Sequence, residues 1–155
     1  MIFHFVNSVK MSGIMQMQEI IPGLWLSGSN TTNNFSLLSS KNIGAILNCT
    51  KSSEVENSFS DRDIKYLRIP IYDESTDNIS QYFNIAYDFI LENLKKKVCV
   101  LVHCQSGISR SPTILMHFLM KHLGWSREYA YERVKEKRSC IKPNNGFLIQ
   151  LNIPN

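Results

Sequence analysis

The chain has 155 residues, of which 43% are hydrophobic and 19% are charged, and its formal net charge is +4. A chain of this length and composition is expected to form one globular domain that buries a core without disulfides. The mild positive charge suits an anionic ligand, but no dense run of Lys and Arg predicts binding to nucleic acid. No apolar stretch is long enough to predict a membrane span.

The four cysteines, at positions 49, 99, 104 and 140, show neither paired spacing nor metal-ligand spacing. This pattern favours a reducing compartment, so we expect the protein in the cytoplasm and also in the nucleus. It predicts no metal site, and we expect no other cofactor. The apolar residues 1–6 are too few for a signal segment. Residues 1–19 are expected to be a lead-in that is disordered or docked, and residues 20–155 are expected to form the domain.

Strands and helices are predicted to alternate along the domain. Short apolar or alternating runs predict strands at residues 24–27, 42–48, 63–69 and 98–103. Helical spacing of apolar residues, with capping residues at the ends, predicts helices at residues 33–39, 79–94, 111–123, 126–137 and 145–151. This order predicts an α/β fold with a central, mostly parallel, twisted sheet flanked by helices. Ligand sites in such sheets lie at the carboxyl ends of the strands.

The stretch VCVLVHCQSGISRS, residues 98–111, predicts a buried strand, a tight loop and a helix start. Backbone N–H groups of such a loop converge on one point, and the helix dipole adds positive charge there. Cys104, at the strand end, is therefore expected to be a thiolate and a nucleophile. Arg110 can bind two oxygens of a phosphate through its planar fork. Gly107 leaves room for the anion. The Ser111 hydroxyl can donate a hydrogen bond to the Cys104 sulfur when that sulfur is the leaving group.

For any one of these residues, a buried cysteine beside a solvated arginine is the simpler interpretation. The combination at this spacing favours phosphoryl transfer to sulfur. The phosphate is expected to be bound by the loop residues and the arginine, and His103 is expected to orient the loop rather than act as a base. The expected phosphate-binding residues are Gln105, Ser106, Gly107, Ile108, Ser109 and Arg110.

The run HCQSGISRS, residues 103–111, resembles the signature of the cysteine-dependent protein tyrosine phosphatases, and GISRS is most similar to their dual-specificity branch. Further runs resemble other parts of that family, from the opening strand at IPGLWLSG to the final helix at KPNNGFLIQL, so that residues 20–152 are covered. The resemblance implies the protein tyrosine phosphatase fold and a small, stand-alone dual-specificity phosphatase that is a monomer.

The leaving oxygen of a phosphate ester needs a proton from a positioned acid. Asp73 follows the run IPIY and opens a polar loop, and its position matches the acid of that family. We expect a mobile carboxyl there that closes over the substrate. Glu74 and Asp77 are the alternatives, and an ordinary turn aspartate is the simpler interpretation of any of the three.

Three further residues are candidates through the same resemblance. Asn144 and Asn145 lie where the family places a residue that supports the phosphate loop, although either could simply cap a helix. Cys49 ends a predicted core strand, and some relatives are reported to form a protective disulfide from a similar position. A buried structural cysteine is the commoner case.

The loop interior contains no lysine, which disfavours phosphoinositide substrates in this superfamily. Phosphotyrosine and phosphoserine or phosphothreonine on proteins are therefore the expected substrates, with no nucleic acid or membrane partner. A phosphate-binding adaptor without turnover is the alternative, although Cys104, Arg110 and Asp73 are all present.

Overall fold

The structure, a computed structural model, describes residue 13, residues 15–59 and residues 61–152. A five-stranded sheet has the order β1-β2-β5-β3-β4, in which β1 and β2 are antiparallel and the other neighbours are parallel. The strands are β1 Gln18–Ile21, β2 Leu24–Ser27, β3 Ile43–Asn48, β4 Lys65–Arg68 and β5 Cys99–His103. The expectation of an α/β fold with a mostly parallel sheet is confirmed.

The helices are α1 Phe35–Ser40, α2 Phe83–Lys95, α3 Arg110–Leu123, α4 Arg127–Lys137 and α5 Asn145–Gln150, and two single 3-10 turns span Ser29–Thr31 and Ser80–Tyr82. Each predicted helix is present, with ends shifted by a few residues. Asn34 caps α1, because its side chain accepts from the Leu37 amide at 3.0 Å. Ser126 caps α4, because its side chain accepts from the Tyr129 amide.

Strand β1 was not predicted, and its first two residues fall in the expected lead-in. The four residues form a hairpin with β2, so their pairing depends on the neighbouring strand rather than on a strong pattern of their own. Most of the unassigned stretch, residues 1–12 and 14, lies outside the described residues. Within the described part of it, Met17 is buried against the sheet.

The central strand β5 is buried on both faces, and its residues alternate between two apolar clusters. Val100 and Val102 belong to the larger cluster, formed with α2, α3, α4 and α5 on one side of the sheet. Leu101 packs on the other side with Leu38 of α1 and Ile46 of β3. Because β5 is packed on both faces at the centre of the sheet, the position of its carboxyl end is well fixed.

Helix α3 begins at Arg110, after the short loop that follows β5, and its first ten residues are all buried. The strand-to-helix junction is therefore anchored at both ends. Within the described residues, we find no helix with the length and apolar character that crossing a membrane requires.

Candidate active site

The Cys104 side chain is buried at the carboxyl end of β5 and receives two hydrogen bonds at its sulfur. The Gly107 amide donates to Sγ at 3.2 Å and the Ser111 hydroxyl donates at 3.1 Å. Gly107 has φ +68°, and a Cβ there would lie 2.6 Å from the backbone of Ser27. Both donors stabilise negative charge on the sulfur, and only glycine fits the position that supplies the first of them.

The loop of residues 105–109, which we call the phosphate loop, has every backbone carbonyl hydrogen-bonded to its surroundings. The acceptor pairs are Gln105 O with the Ser29 amide (2.9 Å), Ser106 O with Arg138 Nη2 (3.0 Å), Gly107 O with Arg138 Nε (3.0 Å), Ile108 O with the Lys142 amide (2.7 Å) and Ser109 O with the Thr113 amide (3.1 Å). In a trans peptide the N–H points opposite to the C=O. The Ser106 carbonyl, bound to Arg138, therefore leaves the next amide on the opposite side of the peptide, and this Gly107 amide is the one that donates to the sulfur.

The start of α3 completes this site. Ser109 is the N-cap residue of α3, but its side chain makes no capping hydrogen bond. Its hydroxyl instead accepts from the Asn144 amide at 2.9 Å. The first amides of α3 therefore have no side-chain cap and can bind an anion.

Arg110 is buried at the far end of the phosphate loop and pairs with an acid that the sequence interpretation missed. Its Nη1 donates to both carboxylate oxygens of Glu54, at 3.1 and 2.9 Å, and to the Ile71 carbonyl at 3.0 Å. Burial lowers the pKa of Arg110, but the Glu54 hydrogen bond and the charges of Cys104, Glu54 and Asp73 outweigh it and raise that pKa. The guanidinium is held as a permanent cation beside the sulfur.

Glu54 lies in the loop that follows Lys51, and it was not among the residues expected at the site. The Lys51 amide donates to Glu54 Oε2 at 3.0 Å, and Arg68 Nη1 donates to the carbonyls of Thr50 and Val55 at 2.9 Å each. Partial burial raises the pKa of Glu54, but the hydrogen bonds from Arg110 and Lys51 have the larger combined effect, so the pKa lies below its usual value. Glu54 is separated from Arg110 by 56 residues, so no local pattern could identify the pair.

Arg138 is the second residue that the sequence analysis missed. Its side chain is 2% exposed and lies beneath the phosphate loop, where it donates to the carbonyls of Ser106 and Gly107. Its Nη1 also donates to Gly13 O, Gln16 O and Gln18 Oε1, at 3.1, 2.9 and 2.6 Å. One buried guanidinium thus joins the phosphate loop to the segment that leads into β1.

His103 is buried below the site, and its Nδ1 lies 3.1 Å from the Cys104 carbonyl oxygen. The pKa of His103 is lowered to about 4, by burial above all and also by the positive charges of Arg68 and Arg110, against the hydrogen bond to Cys104. The imidazole is therefore neutral at pH 7. This state fits the expected role of orienting the loop rather than exchanging protons.

Asp73 lies in residues 72–80, which we call the acid loop. Its Oδ1 accepts from Asn144 Nδ2 at 2.9 Å, and its charge contributes to the raised pKa of Arg110, which places the carboxyl beside the phosphate loop. Of the alternatives, the Asp77 carboxylate accepts from the Tyr72 amide at 3.1 Å, and Glu74 is exposed, as Asp73 itself is.

Asn144 satisfies both interpretations that the sequence left open. Its Oδ1 accepts from the Phe147 amide at 2.9 Å, which caps α5, while its Nδ2 reaches Asp73 and its backbone amide reaches Ser109. One residue therefore connects α5, the acid loop and the phosphate loop. The neighbouring Asn145 is exposed at the start of α5.

Cys49 follows β3, the parallel neighbour of β5. Asn48 pairs with His103, and the Cys49 amide donates to the His103 carbonyl at 2.8 Å, so Cys49 comes beside Cys104 in the sheet. Burial and the adjacent Cys104 raise the pKa of Cys49 well above its usual value, with Arg110 acting in the opposite direction. Cys49 and Cys104 are both free and buried, whereas Cys99 and Cys140 are partly exposed.

Comparison with known proteins agrees with this geometry. Residues 24–153 match the family described as the dual specificity phosphatase, catalytic domain. Human dual specificity protein phosphatase 6 is 42% identical over 134 residues, which cover 86% of this chain and 35% of the relative. A Slingshot homolog from Xenopus laevis, named as a protein phosphatase, is 37% identical over 150 residues, which cover 95% of this chain and 21% of the relative.

The solved structure of the human tyrosine phosphatase-like serine/threonine/tyrosine-interacting protein superposes with a TM-score of 0.83 at 33% identity, covering 87% of this chain and 92% of that one. The chain spans about a third or less of the length of the two curated relatives above. The match of the catalytic-domain family covers most of the chain and includes the phosphate loop, Arg110 and Asp73. This chain therefore belongs to the dual specificity phosphatase family.

Proposed function

We propose that this chain hydrolyses phosphotyrosine and phosphoserine or phosphothreonine on proteins through a phosphocysteine intermediate. The observation that carries the proposal is the phosphate loop, whose carbonyls all face outward around a sulfur that already accepts two hydrogen bonds. A phosphate dianion in this loop meets converging amides, the start of α3 and the Arg110 guanidinium.

In the first step, the Cys104 thiolate attacks phosphorus, and the S–P bond forms as the bond from phosphorus to the ester oxygen breaks. Asp73 donates its proton to the departing oxygen, which leaves as an alcohol or phenol. The loop amides and the free nitrogens of Arg110 stabilise the charge on the transferring phosphoryl oxygens.

In the second step, the Asp73 carboxylate takes a proton from water, and the water oxygen attacks phosphorus. The S–P bond breaks, inorganic phosphate leaves, and Cys104 returns to the thiolate. Ser111 supports this step because its hydroxyl, 3.1 Å from the sulfur, stabilises the thiolate as a leaving group.

Phosphoproteins in cytoplasmic or nuclear signalling are the partners that this function implies, and we propose that the chain acts on them as a monomer. Free thiols at all four cysteines suit a reducing compartment. The absence of lysine in residues 105–109 supports phosphoproteins over phosphoinositides.

The test is turnover of phosphopeptides and of p-nitrophenyl phosphate by reduced protein, with Cys104→Ser as the matched variant and a phosphoinositide as the competing substrate. We expect wild-type protein to hydrolyse the peptides and the aryl phosphate, and Cys104→Ser to be slower by more than about a thousandfold. Binding of phosphopeptides without turnover by wild-type protein would instead support the adaptor alternative. Preferential hydrolysis of the phosphoinositide would overturn the substrate class.

We propose further that Cys49 protects the nucleophile from oxidation. Peroxide would oxidise the Cys104 thiolate to a sulfenic acid, and attack by the Cys49 sulfur would then form the disulfide and release water. The position of Cys49 beside Cys104 supports this proposal, since neighbouring strands lie about 4.8 Å apart. Peptide mapping without reductant after peroxide treatment should find the Cys49–Cys104 peptide pair. Recovery of only over-oxidised Cys104 would contradict it.

A further inference from the structure

Helix α5 lies directly against the acid loop. At Gly146, a built Cβ would lie 1.9 Å from the Ser75 carbonyl oxygen and 2.6 Å from its carbon. The backbone of the helix therefore touches the backbone of the loop, and no larger residue fits between them. The helix is itself fixed in the core, because Phe147 is fully buried and Leu151 is 5% exposed.

Gln150, one turn further along α5, holds the distal end of the acid loop. Its Nε2 donates to the Asp77 carbonyl at 2.9 Å, and its Oε1 accepts from the Ser80 amide at 3.0 Å. One amide side chain thus bonds both an acceptor and a donor of the loop backbone. The acceptor at Asp77 lies 73 residues away in the sequence, and the donor at Ser80 lies 70 residues away. This pairing cannot be met by a shorter or apolar side chain.

The contacts together span the loop from one end to the other. Asn144 binds the Asp73 carboxylate, Gly146 abuts Ser75, and Gln150 binds Asp77 and Ser80. Inside the loop, the Asp77 carboxylate accepts from the Tyr72 amide, which closes the turn that carries Asp73. A mobile carboxyl was expected here from the sequence, whereas in the structure this loop contacts, at four points, a helix that is anchored in the core.

We propose that α5 is a platform that sets the position of the Asp73 carboxyl, with Gln150 and Gly146 as positioning residues for proton transfer to the leaving group. The inference rests on the proposed function for its catalytic consequence. Gln150 contacts the loop backbone at Asp77 and Ser80 rather than Asp73 itself, so it acts only through the loop. Removing its two hydrogen bonds should displace the acid and leave the phosphate loop intact.

The test variant is Gln150→Met, which keeps the length of the side chain and removes both hydrogen bonds. The control is Ile149→Ala, whose side chain is 64% exposed on the same helix. The first readout is hydrogen exchange of the Ser80 amide, which does not require activity. We expect exchange in Gln150→Met to be about fivefold or more faster than in the control. Gln150→Glu keeps the acceptor, so it should retain the slow exchange.

The second readout compares two leaving groups. With phenyl phosphate, whose phenol leaves poorly, Gln150→Met should lower kcat/KM by about tenfold, since the acid is displaced in the step that breaks the ester bond. With p-nitrophenyl phosphate, whose phenol leaves readily, kcat/KM should fall less than about threefold. If Gly146→Ala folds, it should show the same difference between the two substrates. If it does not fold, Gln150→Met is the variant that decides the test.

Equal losses on both substrates would overturn the inference, because they would indicate a general structural defect. Unchanged kinetics together with unchanged Ser80 exchange would also overturn it. Wild-type protein that hydrolyses neither substrate would overturn the proposed function and the catalytic part of the inference. Faster Ser80 exchange in Gln150→Met would then still support the platform.

Discussion

The phosphate loop and the acid loop are held in place in opposite ways. The phosphate loop lies between a central strand and a buried helix, and the rest of the fold supports its carbonyls from below. The acid loop lies at the surface, with Tyr72 45% exposed, and is supported by one short helix. In the proposed mechanism, the phosphate loop stabilises charge on every phosphate ester, whereas the acid loop delivers a proton that matters most for poor leaving groups. Changes in the two loops should therefore have different substrate profiles.

The largest effect is expected from Arg110→Lys, in the phosphate loop. Lysine keeps a positive charge but loses the planar fork that can bind Glu54 and phosphate together. We expect kcat/KM to fall by about a thousandfold, equally for phenyl phosphate and p-nitrophenyl phosphate. Arg62→Lys, at an exposed arginine, is the control. A loss confined to the poor leaving group would break the distinction between the loops.

Asp73→Asn, in the acid loop, should give the other profile. The amide keeps the shape and a possible contact with Asn144 but cannot donate a carboxyl proton. The kcat/KM for phenyl phosphate should fall by about a hundredfold, and that for p-nitrophenyl phosphate by much less, because kcat/KM reports the step in which the ester bond breaks. Steady-state kinetics on both substrates measure the ratio. Equal effects on the two would remove Asp73 from the acid role and return attention to Glu74.

Arg138→Met tests whether the phosphate loop is held from below. The change leaves the carbonyls of Ser106 and Gly107 without their buried donor. We expect the free energy of unfolding to fall by about 2–4 kcal/mol and kcat to fall by about tenfold on both substrates. Urea unfolding measures the free energy of unfolding, and kinetics at a temperature where the variant is folded measure kcat. Lys137→Met, at the exposed neighbouring position, should change neither.

The smallest effect concerns pH. Burial lowers the pKa of His103 and of His117 to about 4, below the value near 6.5 of the unfolded chain. The unfolded chain therefore binds more protons between these values, so stability is full above pH 6.5 and falls as the pH drops toward 4. Urea unfolding at pH 5.5 should give a free energy about 2 kcal/mol lower than at pH 7.

His117→Phe separates the two histidines, because a phenyl ring can keep the stacking on Phe83 at 4.2 Å. This variant should show about half of the drop, and the remainder is assigned to His103 beneath the phosphate loop. The paired carboxylate of Glu54 acts in the same direction, but only below its unfolded value near 4.5. A free energy that is constant from pH 7 to 5.5 would contradict the buried, neutral state of both imidazoles.

The sequence predicted the phosphate loop well because its parts are adjacent in the chain. The apolar strand, Cys104, Gly107 and Arg110 lie within fourteen residues. The role expected for each depends only on its position relative to these close neighbours in the chain. The short strand β1 was missed because its identity comes from pairing with β2. For Asn144 the sequence left open a helix cap or a support of the phosphate loop. Its side chain caps α5 and binds Asp73, and its contact with the phosphate loop is made by its backbone amide at Ser109.

The supports of the site could not be predicted, because they come from distant parts of the chain. Glu54 reaches Arg110 across 56 residues, Arg138 reaches Gly107 across 31, and Gln150 reaches Asp77 across 73. In the sequence, each is an ordinary polar residue in a loop or on a helix. Only the fold shows that Arg138 is buried, that Glu54 meets Arg110 and that Gln150 meets the backbone of the acid loop.

The most direct test of the central claim is the pH dependence of Cys104 alkylation by iodoacetate, an anion that the phosphate loop should attract. The account predicts rapid alkylation of Cys104 at pH 6, protection by inorganic phosphate, and slow reaction of Cys99 and Cys140 in the same sample. Alkylation of Cys104 that becomes fast only at the alkaline pH of a free thiol, without protection by phosphate, would contradict the claim that this loop holds a thiolate.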